Sequence, residues 1–239
     1  MRSLALLVWL MVPVAFGAYH YGPGQEKLRL DDVGRTLADA DRRAEAGDWS
    51  GALERYDQAL VGLPDGKLEE AHRIKLQRAK VRMNARQLPE ANVDLAELVD
   101  QLEGDPKADP GLRDDARRAL ANSQYYMTWL MRLEGQPNAE WEPMIDGSRQ
   151  MYRLLAEQAE ARGDGTASKE LREDLESAVR LARLDLDELQ GLDIPSQCQG
   201  CKSGQCKKPG KKPGKKPSQN KPKDARGASS GPPPDNSGS

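Results

Sequence analysis

The breaks in this sequence come at helix-length intervals. Gly47-Asp48, Pro64-Asp65-Gly66, 86–89, 104–110, Gly135-Gln136-Pro137 and 163–165 interrupt the stretch 31–192. Glycine, proline and Asx clusters of this kind end helices and open turns. Between them lie seven segments: 31–46, 50–63, 67–86, 89–103, 111–134, 138–162 and 167–190. None alternates apolar and polar residues with the two-residue period of a half-buried strand. Ala, Leu, Glu and Arg dominate, β-branched residues are sparse and Phe occurs once. The middle of the chain is therefore expected to be helical, with no sheet. Short links between long helices oblige neighbours to run antiparallel. The expected architecture is all-α: a stack of about three helical hairpins closed by a C-terminal helix.

Within the first hairpin the small residues fall where a core is usually largest. Ala40, Gly47, Asp48, Trp49, Ala52, Leu53, Tyr56, Ala59, Leu60 and Pro64 have a spacing that resembles the tetratricopeptide repeat (TPR), a 34-residue helix–turn–helix unit. The resemblance implies that Ala40, Ala52 and Ala59 let backbones approach while Trp49, Tyr56 and Leu60 fill the gaps to the next helix. It departs from the family pattern at Thr36 and Asp39, where large apolar residues are usual, so helix 31–46 is expected to pack loosely. A second copy follows at an offset of 39 residues, with Ala79, Ala91 and Leu95 in the places of Ala40, Ala52 and Tyr56, and Arg86-Gln87 replacing the Gly-Asp turn. The third hairpin, 111–162, matches only as architecture. In the last segment Leu171, Leu175, Ala178, Ala182, Leu186 and Leu189 form one stripe, the amphipathic pattern a capping helix needs.

The 239-residue chain divides into three parts. Residues 1–24 carry Arg2 and an apolar run interrupted by Pro13; they read as a signal peptide, with Ala15-Phe16-Gly17 as a cleavage site, or as an N-terminal membrane anchor. Either reading exports the body, in a bacterium to the periplasm or cell envelope. Residues 31–192 form the helical domain. Residues 193–239 are a Lys/Pro/Gly-rich tail expected to be disordered. From Cys198 onward nine Lys and one Arg face two Asp, a net +8, which leaves −10 on the rest.

The resemblance implies an inner groove lined by the first helix of each pair: Leu37, Asp41 and Glu45, then Arg73, Leu76, Lys80, Met83 and Asn84. Such a groove clamps an extended peptide or a partner helix. Asp41 stands where carboxylate-gripping relatives require Asn, so that binding mode is not reproduced. Around 123–144, Tyr125, Trp129 and Leu133 follow helical spacing and read as core; Tyr126 and Trp141 are the candidates for the surface. Cys198, Cys201 and Cys206 are spaced C-x₂-C-x₄-C. In an oxidising compartment they read first as a local or intermolecular disulfide, with zinc as the alternative that lacks a nearby fourth ligand. Lys207, Lys208, Lys211, Lys212, Lys215 and Lys216 repeat as KKPG, a tether for anionic lipid or wall polymer; nucleic acid is the poorer candidate, since no aromatic residue interleaves. No phosphate loop, nucleophile triad or HExxH pattern occurs in the sequence, and two His leave little for acid–base work. The chain is thus expected to be a non-catalytic protein-binding scaffold without cofactor or small-molecule substrate. The alternative is a redox or metal-handling envelope protein acting through the cysteines.

If Ala52 marks a close helix approach, Ala52→Leu should lower stability by about 1–3 kcal/mol in urea unfolding; an unchanged midpoint would place Ala52 at the surface.

Overall fold

The computed structural model describes residues 23–201 together with Trp9, Met11 and Val12. The described residues contain eight α-helices and no strand: α1 Pro23–Glu45, α2 Trp49–Gly62, α3 Leu68–Asn84, α4 Leu88–Gly104, α5 Pro110–Leu133, α6 Asn138–Ala161, α7 Gly165–Arg183 and α8 Leu186–Gln190. A 3₁₀ turn follows at Ser196–Cys198. The fold is all-α, with helices packed in adjacent pairs. None of the described helices is long and apolar enough to cross a membrane. The chain divides between Arg78 and Ala79, within α3, into two compact units.

In the first unit α1 packs on α2. A Cβ on Gly62 would stand 3.3 Å from Val33 Cγ2, and the Tyr56 hydroxyl donates to Asp41 Oδ1. One chain position rises as its partner falls, so the two helices are antiparallel. Ala40, Ala52 and Ala59 are buried in this hairpin, with Tyr56 beside them; Trp49 and Pro64 are half-buried. The departures at Thr36 and Asp39 have a polar solution. The Thr36 hydroxyl donates to the Asp32 carbonyl at 2.9 Å. Asp39 gathers Arg42 at 3.0 Å and Arg43 at 3.2 Å from its own helix and Arg55 at 2.9 Å from α2. The Arg43 hydrogen bond, helped by the other guanidinium charges, holds Asp39 below the usual carboxylate range. α1 also starts at Pro23, well before residue 31; proline suits a first helical turn, which needs no N–H there.

In the second unit α5 is the centre. It packs against α4 and α6 and touches α8 and the 3₁₀ turn. Every residue of 125–131 is buried, so this stretch has no solvent face. Asn92 of α4 donates to Ser123 Oγ at 2.8 Å, and Ser123 passes the bond to the Leu120 carbonyl at 2.8 Å. On the other side Gln124 lies over Gly147 of α6, where a Cβ would meet its Oε1 at 2.9 Å. α6 packs in turn on α7. Ala79, Ala91 and Leu95 are buried in this unit.

Local chemistry explains most helix ends. Asp48, Asp109, Asp164 and Asp185 each accept from a backbone amide at a helix start, a capping bond that contributes about 1 kcal/mol. The turns at 47, 86, 135 and 163 share one geometry. The residue after each adopts a six-to-one amide bond, Asp48 to Arg43, Gln87 to Arg82, Gln136 to Met131 and Asp164 to Ala159, all near 3.0 Å. Gly47, Gly135 and Gly163 take φ of 75°, 72° and 77°; Arg86 takes 64°. This is the Schellman motif, which favours glycine. Arg86 thus holds the backbone conformation of Gly47, although the sequence there shows none of glycine's freedom.

Three expectations are corrected here. The last segment is two helices, because Leu184 turns extended and Asp185 forms a capping box with Glu188; Leu186 leaves the stripe and is exposed. Tyr126 and Trp141 are buried. The Arg132 guanidinium covers Trp141 at 4.7 Å from the ring centroid and donates to the Leu181 and Leu184 carbonyls. The folded part also runs past Leu192: residues 193–201 pack on α5 through the 3₁₀ turn.

Removing one partner of the buried Asn92–Ser123 pair should cost more than removing both. Ser123→Ala strands the Asn92 amide and should lower stability by about 1–3 kcal/mol, whereas Asn92→Leu combined with Ser123→Ala should recover part of that loss in denaturant unfolding.

Candidate functional site

The eight expected groove residues divide between the two units. Leu37, Asp41, Glu45, Arg73 and Leu76 belong to the first, and Lys80, Met83 and Asn84 to the second. Asp41 and Glu45 are exposed and Leu37 half-buried. Asp41 is engaged by Tyr56, whose hydroxyl proton is held well above its ordinary range, first by burial and then by that bond. Arg73 is exposed and pairs with Glu69 at 2.7 Å. Lys80 is half-buried, and its carbonyl accepts from Asn84 Nδ2 at 3.2 Å. Leu76 and Met83 are buried at 2% and 5% exposure; as placed, they are core residues that a ligand cannot reach. The exposed groove candidates are thus polar, while Leu76 and Met83 face inward and Leu37 is half-buried.

A second constellation lies in the second unit, around segment 193–201. Pro195, Gln197 and Cys198 are buried. The Cys198 thiol donates to the Tyr126 carbonyl at 3.4 Å. Gln199 at φ −67°, ψ 115° and Gly200 at φ 78° are followed by a Cys201 amide bonded to the Cys198 carbonyl at 3.3 Å. These values define a type II turn, whose third position requires φ above zero. Gly200 lies against Arg86, whose Cδ would be 3.2 Å from an added Cβ. The Cys201 thiol donates to the Gln197 carbonyl at 3.3 Å; the Leu88 amide, Glu90 and Arg86 act on its titration. Burial pushes both thiols up from 9.0; for Cys201 the Leu88 bond and Arg86 offset part of the rise, while Glu90 adds to it. A thiol kept neutral is a poor nucleophile and a poor metal ligand. Both cysteines are free thiols. Among the described residues no three His, Cys, Asp or Glu side chains are grouped to hold a metal. Cys206 and the six lysines from Lys207 to Lys216 lie outside the described residues, as do residues 1–22 apart from Trp9, Met11 and Val12.

Sequence reasoning missed a buried polar cluster behind Tyr126. Tyr125, Tyr126 and Tyr152 are buried together with Asp174 of α7, and the electrostatic field of Asp174 reaches all three phenols. Arg118 stands 3.8 Å from Asp174 and 3.5 Å from Glu170. A signal was present: Asp174 occupies the apolar stripe between Leu171 and Ala178, at core spacing. The strap 193–201 carried a weaker signal in Ile194-Pro195, shortly after the end of α8 at Gln190. No family model, curated protein or solved structure matches this chain.

The thiols give a pH-dependent expectation. With both pKa values raised in the folded state, the stabilisation associated with their neutral forms is fully present below the unfolded-state value and erodes as pH rises above it. Alkylation of Cys198 and Cys201 at pH 8 should be slower in the folded chain than in urea, most of all for Cys198, as read by mass-resolved iodoacetamide labelling. Equal rates in the two states would place the thiols in solvent.

Proposed function

We propose that this chain is a non-catalytic protein-binding scaffold of the TPR type, exported from the cytoplasm and tethered or retained at the cell envelope. One observation carries the reading. α1 buries Ala40 and exposes Asp41 and Glu45; α3 buries Ala79, exposes Arg73 and leaves Lys80 half-buried. Nested alanines bring helices close, and the remaining polar side chains form surfaces suited to an extended peptide or a partner helix. The leader supplies export or anchorage, and the basic repeat near 207–216 supplies a secondary contact with anionic lipid or wall polymer.

A second reading, redox or metal handling at the cysteines, draws on the close turn that joins Cys198 and Cys201. Their raised pKa values favour a structural thiol pair over a rapidly cycling one.

Crosslinking in the native cell tests the scaffold. The full chain with Glu45→Lys, Arg73→Glu and Lys80→Glu should lose a defined set of crosslinked proteins that wild type and a control charge reversal at exposed Glu54 both retain. An unchanged set in the triple variant would overturn the groove. Stoichiometric zinc in the purified full chain would favour the second reading.

A further inference from the structure

α7 buries Ser168, Leu171, Asp174, Ala178 and Leu181 and packs on α6. At about 100° per residue, a second side of the helix lies roughly a third of a turn away. Leu175, Glu176, Val179, Arg180 and Arg183 occupy that side, and with Leu184 and Glu188 they line an open groove. α7 comes where another pair of helices would begin. The element that follows it is α8, five residues long and packed on α5. A helix that closes a stack needs a polar outer side; here Leu175, Val179 and Leu184 stand half-buried in the groove. Glu176 and Arg183 are exposed, and neither makes a hydrogen bond or an ion pair among the described residues. The groove also has a fixed corner. Arg132 of α5 donates to the Leu181 and Leu184 carbonyls, and the Asp185–Glu188 capping box follows at once.

We propose that this groove is a self-association site, and that its occupant is the same groove of a second copy of this chain. The groove is its own complement. Let α7 of the second copy run antiparallel, with a two-fold axis between Val179 and Arg180. Glu176 of each copy then comes level with Arg183 of the other, which forms two ion pairs. Leu175 comes level with Leu184 at both ends. Val179 meets Arg180, whose apolar stem can lie along it while the guanidinium stays in water. Of the residues that line the groove, only Glu188, held in its capping box, has no mate within the set. An isologous two-fold contact requires this property, a patch that meets itself with residue i on j and j on i. A groove shaped for an unrelated partner has no reason to match its own reverse. The second copy also supplies the long antiparallel helix that follows the first helix of the other pairs. One helix laid on one helix is a small contact by the standard of stable dimers, so the association is reversible and sensitive to each charge pair. The site stands apart from the scaffold reading and does not depend on it.

Full-length charge variants test the two-fold arrangement. Glu176→Arg sets arginine against Arg183 at both pairs, and Arg183→Glu sets glutamate against Glu176. Both positions are exposed, so each variant should keep the helix content of wild type by circular dichroism. Under reductant, so that cysteines link no chains, wild type should self-associate in sedimentation equilibrium across a micromolar series. Each single variant should associate at least about tenfold more weakly, because like charges now face each other. Glu176→Arg combined with Arg183→Glu restores both pairs in reverse and should return to within about threefold of wild type. An equimolar mixture of the two single variants should associate more tightly than either alone, since each then meets its opposite. A photocrosslinking side chain at Val179 should trap a second copy within 179–184. A wild type that stays monomeric, single variants as tight as wild type, a double variant as weak as the singles, or a mixture no tighter than its parts would each overturn the proposal. So would a Val179 crosslink that, in the cell, goes to a different protein or to another part of the same chain.

Discussion

The second unit depends on a helix with no outside. Along 125–131 of α5 every side chain is buried, two tyrosines and a tryptophan among them. A helix in water needs only one apolar stripe; one buried all round must be enclosed on every flank. α4 and α6 enclose two flanks, and α8 with the 3₁₀ turn covers more. The Tyr125 ring meets Tyr126 edge-on, with centroids 5.3 Å apart, and leans toward Trp129 at 6.2 Å. Such offset contacts add to the burial of the rings themselves. The strap is therefore part of what keeps this helix dry, and its removal would uncover Tyr126 in particular.

Enclosure has a polar cost that the unit meets unevenly. Asn92, Ser123 and the Leu120 carbonyl form a closed relay, and Arg132 satisfies the two carbonyls left where α7 breaks. The hydroxyls of Tyr152 and Ser148, one turn apart on α6, are buried without a hydrogen-bond partner. A buried hydroxyl in that position gives up its bond to water with nothing in return. It lies in the same interior as Asp174, whose charge is offset by Arg118 from α5. Buried polar groups thus stand on both flanks of α5, Asn92 with Ser123 toward α4 and Asp174 with Arg118 toward α7.

Helix content and order were legible because breakers and helix formers alternate along the chain without ambiguity. The alanines at 40, 52, 59, 79 and 91 were legible as buried because small residues recur at contact spacing, and all five are enclosed. Three things were not. Tyr126 carries a polar tip and sits off the main stripe, and the partners beside it, the Tyr125 ring and the Cys198 thiol on its carbonyl, cannot be read from periodicity. The break before Asp185 depended on a capping box outweighing a leucine stripe, a contest of about 1 kcal/mol on each side. The groove was carried by family geometry alone, and periodicity cannot tell which apolar residues of a first helix turn inward; Leu76 and Met83 do.

The shared hairpin turn has a consequence for how such a chain can change. Each turn at 47, 86, 135 and 163 is closed by hydrogen bonds among its own five or six residues. Nothing in its geometry refers to the length of the helices on either side. A pair can therefore gain or lose a turn of helix while its corner stays intact, as the unequal helix lengths of this chain already illustrate. Even the identity of the corner residue is negotiable: arginine stands at one of the four where glycine serves the others. Length variation between related chains should accordingly accumulate in the helices and in the links between pairs, leaving the corners as fixed points from which an alignment could be anchored.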